Sequence, residues 1–346
     1  TARKVTDASD ARITYVGRVA KNSTGVSFDW SGVQCRLKFD GPYVALHCSD
    51  TKSNYYNVWF DKDTGCSPDI VIRTAGTDTL IVLSDKLGRG VHELTLQKRT
   101  EGEQGMTTFH HFETAGEVLQ ADPVKERYIE FIGDSYTCGF GTENSVRTDK
   151  FKPETENCNL TYAAIISRYF NADYNLVCHS GRGVVRNYDD WGKGIPETTV
   201  TGKYSNIYDE GPSHACPAPE IIPDIVVIYL GANDFSTEMQ PSMEEFCKGY
   251  ISLLGKVRER YGNDVPLLCI AARLDPGIFA YVREACRRSG LDNIWSMAMQ
   301  DGVHNLTSDL GASWHPNYSG QKKMASQIIP YVSTITGWEM EVKAYR

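Results

Sequence analysis

Hydrophobic and polar positions alternate through the first third of the chain. Val26, Phe28 and Trp30, then Cys35, Leu37 and Phe39, then Tyr56, Val58 and Phe60 share the two-residue period of a half-buried strand, and shorter apolar stretches fall at 43–48, 70–72, 80–83 and 91–96. Turn formers such as Ser31-Gly32, Gly41-Pro42, Thr64-Gly65, Gly76, Gly88 and Gly90 punctuate the gaps. Strands this short and this regularly broken predict an all-β sandwich over residues 1–115, with 107–112 as its last strand. Around Asp40-Gly41-Pro42 the pattern sets Phe39 opposite Val44, Leu37 opposite Leu46 and Cys35 opposite Cys48. That last pair would come near disulfide reach; the alternative is two buried core thiols.

Residues 116–126 are polar, contain Pro123 and mark a linker. The period then changes. Apolar runs at 128–132, 174–178, 225–230, 267–272 and 294–299 read as strands, and helical patterns cover 162–170, 243–261, 278–288 and 321–334. Strand and helix in alternation predict a parallel sheet with helices on both faces over 127–346. Residues 185–223 are irregular, and loops of that length in a compact domain are usually functional.

Composition narrows the partners. The chain has 346 residues, 41% of them hydrophobic and 23% charged, enough for two cores. A formal charge of −8 argues against nucleic acid and anionic membrane and suits a neutral substrate. No apolar run approaches the ~20 residues of a membrane helix. Ten cysteines, sequons at Asn22, Asn159, Asn305 and Asn317, and an opening Thr1-Ala2-Arg3 with any leader removed suggest an exported protein. Cys178 and Cys269 lie in strand-like runs and are expected to be free and buried.

Four short segments could carry chemistry. Gly133-Asp134-Ser135-Tyr136 ends an apolar run abruptly, which would hold Ser135 at the C-terminal tip of a buried strand, where open α/β sheets place reactive groups. Position 137 is Thr, so this is not the Gly-x-Ser-x-Gly elbow; taken alone it could be a helix cap. Ser180-Gly181-Arg182-Gly183 and Gly231-Ala232-Asn233-Asp234 follow the next two strands. The backbone N–H groups of Ser135 and Gly181 and the amide of Asn233 could form a three-donor oxyanion hole. Trp314-His315-Pro316-Asn317 precedes the closing helix and supplies an imidazole to activate Ser135. No Cys-x-x-Cys or His-Glu-x-x-His spacing occurs, so neither a metal nor another cofactor is expected.

These four segments, in this order, resemble the SGNH (GDSL-type) hydrolases. The preceding β domain with Trp30-Ser31-Gly32, together with Arg186-Asn187-Tyr188, is similar to carbohydrate esterase family 2. That resemblance implies a jelly-roll sandwich joined to an SGNH domain. It also implies an esterase that removes acetyl groups from xylan or related plant polysaccharides, including primary C6-type esters. By the same resemblance Tyr188 and Trp314 line the substrate cleft; Trp191 is weighed as a further sugar platform or as loop packing. A secreted monomer acting on acetylated polysaccharide is the expectation.

One departure stands out. Many SGNH enzymes have an aspartate three residues before the histidine, where this chain has Ala312. His315 then needs another group on Nδ1: a backbone carbonyl, as the family resemblance allows, or Asp309. Asp301-Gly302-Val303-His304 has the Asp-x-x-His spacing but lacks the Pro-Asn that follows, which leaves His304 as a minor alternative base. Two rival classes are a lipid acyl esterase or thioesterase, disfavoured by the polar Asn187, Asp189, Asp190 and Lys193, and a non-catalytic polysaccharide-binding protein.

Overall fold

The computed structural model describes residues 2–188, 190, 195–212, 214–271, 276–300 and 304–341. Asp189, Trp191, Lys193 and 301–303, weighed above, lie outside them. Two compact units result: Thr1–Lys125 with Ile207–His214, and Glu126–Asn206 with Ala215–Arg346.

The first unit is a sandwich of two antiparallel sheets. One sheet is ordered Ala20–Asn22, Gly25–Phe28, Thr107–Thr114, Val44–Asp50, Thr79–Ser84, and the other Val118–Leu119, Gln34–Asp40, Val91–Lys98, Ser53–Phe60, Ile70–Ala75. The inward side chains meet between them. Tyr56 packs on Phe28 and Phe109 at ring separations of 6.4 and 5.7 Å, and its hydroxyl donates to Thr107 Oγ1 at 2.7 Å. A buried tyrosine is thereby satisfied.

The expected hairpin at Asp40-Gly41-Pro42 is not formed. Gln34–Asp40 and Val44–Asp50 belong to opposite sheets, so Cys35 lies beside Leu96 and Cys48 beside Phe109 and Thr79. Both cysteines are free, and burial raises each thiol to about 12. The reason is general. Alternation reports which face is buried, and a chain that arches between sheets buries the same face as one that folds back on itself. Cys178 and Cys269 are free and buried.

Two further stretches differ from expectation. Val118–Leu119 adds a short strand to Gln34–Asp40, and the Ala121 N–H donates to Arg12 O at 2.9 Å, so 116–125 packs with the first unit. From the long irregular segment, 207–214 joins the first unit as well. Its anchor is Asp29, a buried carboxylate accepting the N–H groups of Asp209, Glu210 and Gly211 at 2.6, 2.8 and 2.9 Å. Burial, reinforced by Asp209, raises Asp29 to about 6 despite those bonds.

In the second unit we number the parallel strands β1 (Tyr128–Gly133), β2 (Asp173–Cys178), β3 (Ile225–Leu230), β4 (Leu267–Ala271) and β5 (Ile294–Ala298). Their spatial order is β2-β1-β3-β4-β5. Every residue of β1, β2 and β3 is buried; β3 is wholly apolar, while Glu130 in β1 and Asp173 and Asn175 in β2 interrupt otherwise apolar runs. The helices are α1 (Ser135–Cys138), α2 (Tyr162–Tyr169), α3 (Val200–Lys203), α4 (Met243–Tyr261), α5 (Pro276–Ser289) and α6 (Tyr318–Thr336). Helices α2 and α6 bury Ile165, Ile166, Ile328 and Ile329 in one cluster with Phe131, Tyr174 and Val227 of the sheet. Helices α4 and α5 pack on each other, and α5 also packs on β4 and β5. The order reverses between β1 and β3, so the tips of β2, β1 and β3 flank the crevice that such sheets use for ligands. No helix among the described residues is long and apolar enough to cross a membrane.

Candidate active site

Strand β1 ends in a turn too tight for a side chain at its pivot. A Cβ on Gly133 would collide with the Thr137 hydroxyl, one helical turn on. Asp134 caps α1 by accepting the Tyr136 N–H at 3.1 Å, which makes Ser135 the first helical residue. A first-turn N–H has no intrahelical acceptor, and the Ser135 N–H finds no other among the described residues. Its Oγ lies 2.8 Å from His315 Nε2, across 180 residues of chain.

His315 reaches that position on a two-stranded ribbon in which Gly311 faces His315 and Leu310 faces Pro316. The connecting residues, Ser313 (φ 50°) and Trp314 (φ 63°), both occupy the left-handed region. Such torsions cost about 1–3 kcal/mol each in residues of this kind. They turn the Ser313 carbonyl onto the imidazole, where it accepts from Nδ1–H at 3.0 Å. With the proton on Nδ1, Nε2 presents a lone pair to the serine hydroxyl, the tautomer general-base chemistry needs. The strained link is pinned from outside: Ser313 N–H donates to Asp149 O at 2.9 Å and Trp314 N–H to Arg147 O at 3.1 Å. Tyr318 N–H donates to Thr142 O at 3.0 Å. A Cβ on Gly311 would strike the carbonyl of Gly141.

Asp309 does not take the Nδ1 position. Its buried carboxylate accepts from the Asn305 N–H at 2.6 Å and the Ser319 hydroxyl at 2.7 Å, and pairs with Lys323. Burial opposes its ionisation, yet Lys323, Ser319 and the Asn305 N–H together outweigh that and hold it down at about 2. The folded pKa is therefore below the unfolded value near 3.9, so this carboxylate adds stability above about pH 4, lost as pH falls through about 2. Asp309→Asn is expected to flatten that window in acid denaturation while changing kcat less than about tenfold; a loss near 10⁴-fold would make Asp309 the orienting acid instead. His304 lies against Gly320 of α6, and burial holds its pKa below the ordinary value.

The other two residues expected as oxyanion donors, Gly181 and Asn233, sit at the neighbouring strand tips. Gly181 follows β2 with φ 77°, and its N–H has no acceptor among the described residues. Asn233 follows β3; its Nδ2 donates to Arg182 O at 3.0 Å and reaches Asp134 Oδ2 at a long 3.4 Å. To serve an oxyanion it would release the weaker contact. Its neighbour Asp234, fully buried, accepts the N–H groups of Val184, Val185 and Arg186 at 3.0, 2.8 and 3.0 Å and so shapes the loop after Gly181. Burial dominates these bonds and raises it to about 6. Tyr188, 62% exposed, is tethered by its N–H to Gly181 O at 2.6 Å. Trp314, 53% exposed, lies under the Arg147 guanidinium at 4.5 Å. Both therefore offer aromatic surface to solvent.

Three contributors went unread in the sequence. Phe140 stacks on His315 with ring centroids 4.0 Å apart, and Phe151 stacks on Phe140 at 4.4 Å. Gln321, fully buried, donates to Tyr136 O at 2.9 Å and accepts the Tyr162 N–H at 2.8 Å, so α6 and α1 are tied directly. The glycines at 139 and 141 hinted at a loop folded close to Ser135, but no spacing marks Phe151 or Gln321.

Residues 15–123 match the family described as carbohydrate esterase 2 N-terminal, and 131–323 the GDSL-like lipase/acylhydrolase family. The chain is 30% identical over 343 residues to cellulase/esterase CelE of Acetivibrio thermocellus, covering 96% of this chain but 40% of that protein. It is 24% identical to an acetylxylan esterase/glucomannan deacetylase of Cellvibrio japonicus, over 92% of this chain and 88% of the relative. Among solved structures, a family two carbohydrate esterase from Clostridium thermocellum in complex with cellohexaose superposes with TM-score 0.84 and 30% identity, covering 94% of this chain and 100% of that one. A family two carbohydrate esterase from Cellvibrio japonicus gives 0.86 at 20% identity, over 97% and 99% of the two chains.

Proposed function

The chain belongs to carbohydrate esterase family 2, and from that premise we propose that it is a secreted serine esterase removing O-acetyl groups from plant cell-wall polysaccharides. The observation that carries this reading is the 2.8 Å contact between Ser135 Oγ and His315 Nε2, with Ser313 O on Nδ1. His315 takes the Ser135 proton as Oγ adds to the acetyl carbonyl. The oxyanion is met by the Ser135 and Gly181 N–H groups and the Asn233 amide. Protonated His315 then gives its proton to the departing sugar oxygen, leaving acetyl-Ser135. Water, deprotonated by the same imidazole, attacks the ester, and collapse returns the proton to Ser135 Oγ and frees acetate.

The surroundings of Ser135 point to the substrate class. Tyr188 and Trp314 are largely exposed aromatic side chains suited to pyranose rings, with Arg147 covering one face of Trp314, and the net charge of −8 suits a neutral polymer. The relatives from Cellvibrio japonicus are named for xylan and glucomannan, which makes these the polymers to try. Acetate release from acetylated xylan, acetylated glucomannan and 4-nitrophenyl acetate should be followed side by side. The expected result is higher kcat/KM on a polysaccharide than on the small ester; turnover of the small ester alone, or a preference for long acyl chains, would overturn the carbohydrate assignment.

A further inference from the structure

Both ring nitrogens of His315 face neutral oxygens, Ser135 Oγ at Nε2 and Ser313 O at Nδ1. A carbonyl dipole orients the ring but brings no formal charge to the imidazolium that forms in each half-reaction. The face of the ring is occupied too. Phe140 lies on it at 4.0 Å with the planes 28° apart, and Phe140 is itself backed by Phe151 at 4.4 Å and 29°. Tyr136 meets the imidazole edge-to-face at 5.7 Å and 85°.

We propose that Phe140 is a positioning residue whose π face stabilises the His315 imidazolium, supplying by quadrupole attraction part of what an acid at position 312 supplies electrostatically elsewhere. This rests on His315 being the base of the reaction above. Cations are attracted to an aromatic face within about 6 Å of its centroid, more strongly where water is excluded. In neutral His315 the stack is ordinary packing; once the ring is protonated the same contact becomes attractive charge–quadrupole contact. The interaction is therefore stronger in the charged state, which is the requirement for lowering a barrier. Phe151 holds Phe140 parallel to the imidazole.

Other charged and titratable groups surround the histidine on the elements packed against it. Asp134 and Tyr136 lie on the Ser135 turn, and Asp134 accepts the Tyr136 N–H. Arg147 and Asp149 lie on the loop that pins Ser313 and Trp314, with Arg147 over the Trp314 ring. Asp309 and Lys323 pair with each other behind the ribbon. The wild type and the Phe140 variants carry the same set of these groups, so the comparison sets an aromatic against an aliphatic contact on one charged background.

The test is the titration of the His315 imidazole followed by NMR in substrate-free enzyme, paired with the acid limb of kcat/KM. Phe140→Leu, which keeps bulk and apolarity but removes the π face, should lower the midpoint by about 0.4 to 1.5 pH units and the plateau kcat/KM about two- to thirtyfold. Phe140→Trp, with a stronger face, should hold the midpoint or raise it. A leucine variant that titrates with the wild type, or a tryptophan variant whose midpoint falls, overturns the proposal. If the leucine variant does not fold, the tryptophan titration decides alone. Because the NMR titration needs no substrate, an enzyme inert toward acetylated polysaccharide would sink the functional assignment without touching this result.

Discussion

Ser135→Ala should lower kcat on an acetyl ester by about 10⁴- to 10⁶-fold and leave the fold intact. The proposed mechanism routes every acetyl group through this oxygen, the hydroxyl hydrogen-bonded to His315 Nε2. Stability should hardly change. The lost group is a single hydroxyl in one hydrogen bond, and the capping of α1 comes from Asp134. Residual activity above the uncatalysed rate would come from the oxyanion donors and substrate binding alone. Substrate affinity, measured by calorimetry with an acetylated oligosaccharide, should persist. If the alanine variant instead retained a tenth of wild-type turnover, Ser135 would not be the nucleophile.

His315→Ala should cost about as much in kcat, and the double variant Ser135→Ala/His315→Ala little more than either alone, because the two side chains act as one unit. The single variant also removes one ring from the stack with Phe140 and Phe151, so His315→Gln, which keeps more volume, is the better control for packing. In both, labelling of Ser135 by a fluorophosphonate should slow in proportion to kcat, since the probe depends on the same activation of Oγ. Additive losses in the double variant would mean that the two residues work independently.

Much of the second unit was legible because buried parallel strands leave long apolar runs and end where glycines and polar residues begin. Strands 128–132 and 225–230 and helix 243–261 lie where the pattern put them. In the first unit the strands were legible but their partners were not, as Cys35 and Cys48 illustrate: alternation names a buried face and is silent about which sheet lies beside it. Segment 207–214 was hidden for a related reason. The carboxylate that accepts three of its N–H groups, Asp29, lies far away in sequence.

At the site, the residues on successive strand tips could be read from punctuation, whereas for His315 Nδ1 the residues alone did not choose between a backbone carbonyl and Asp309. The group there is a backbone carbonyl aimed by positive φ at Ser313 and Trp314, and neither residue type advertises that conformation. Asp309 entered as the alternative to a backbone carbonyl because an acid is the usual partner. The structure instead uses Asp309 to tie Asn305, Ser319 and Lys323 together. Phe140 was passed over because an aromatic next to glycines looks like loop packing until its distance to the imidazole is known.

The acetyl-enzyme itself offers the most direct measurement. Rapid acid quench of the enzyme turning over 4-nitrophenyl acetate, followed by peptide mass spectrometry, should find one acetyl group on Ser135, absent from Ser135→Ala and scarce in His315→Ala. Steady turnover with no acetylated peptide, or with the acetyl group on another residue, would contradict the account.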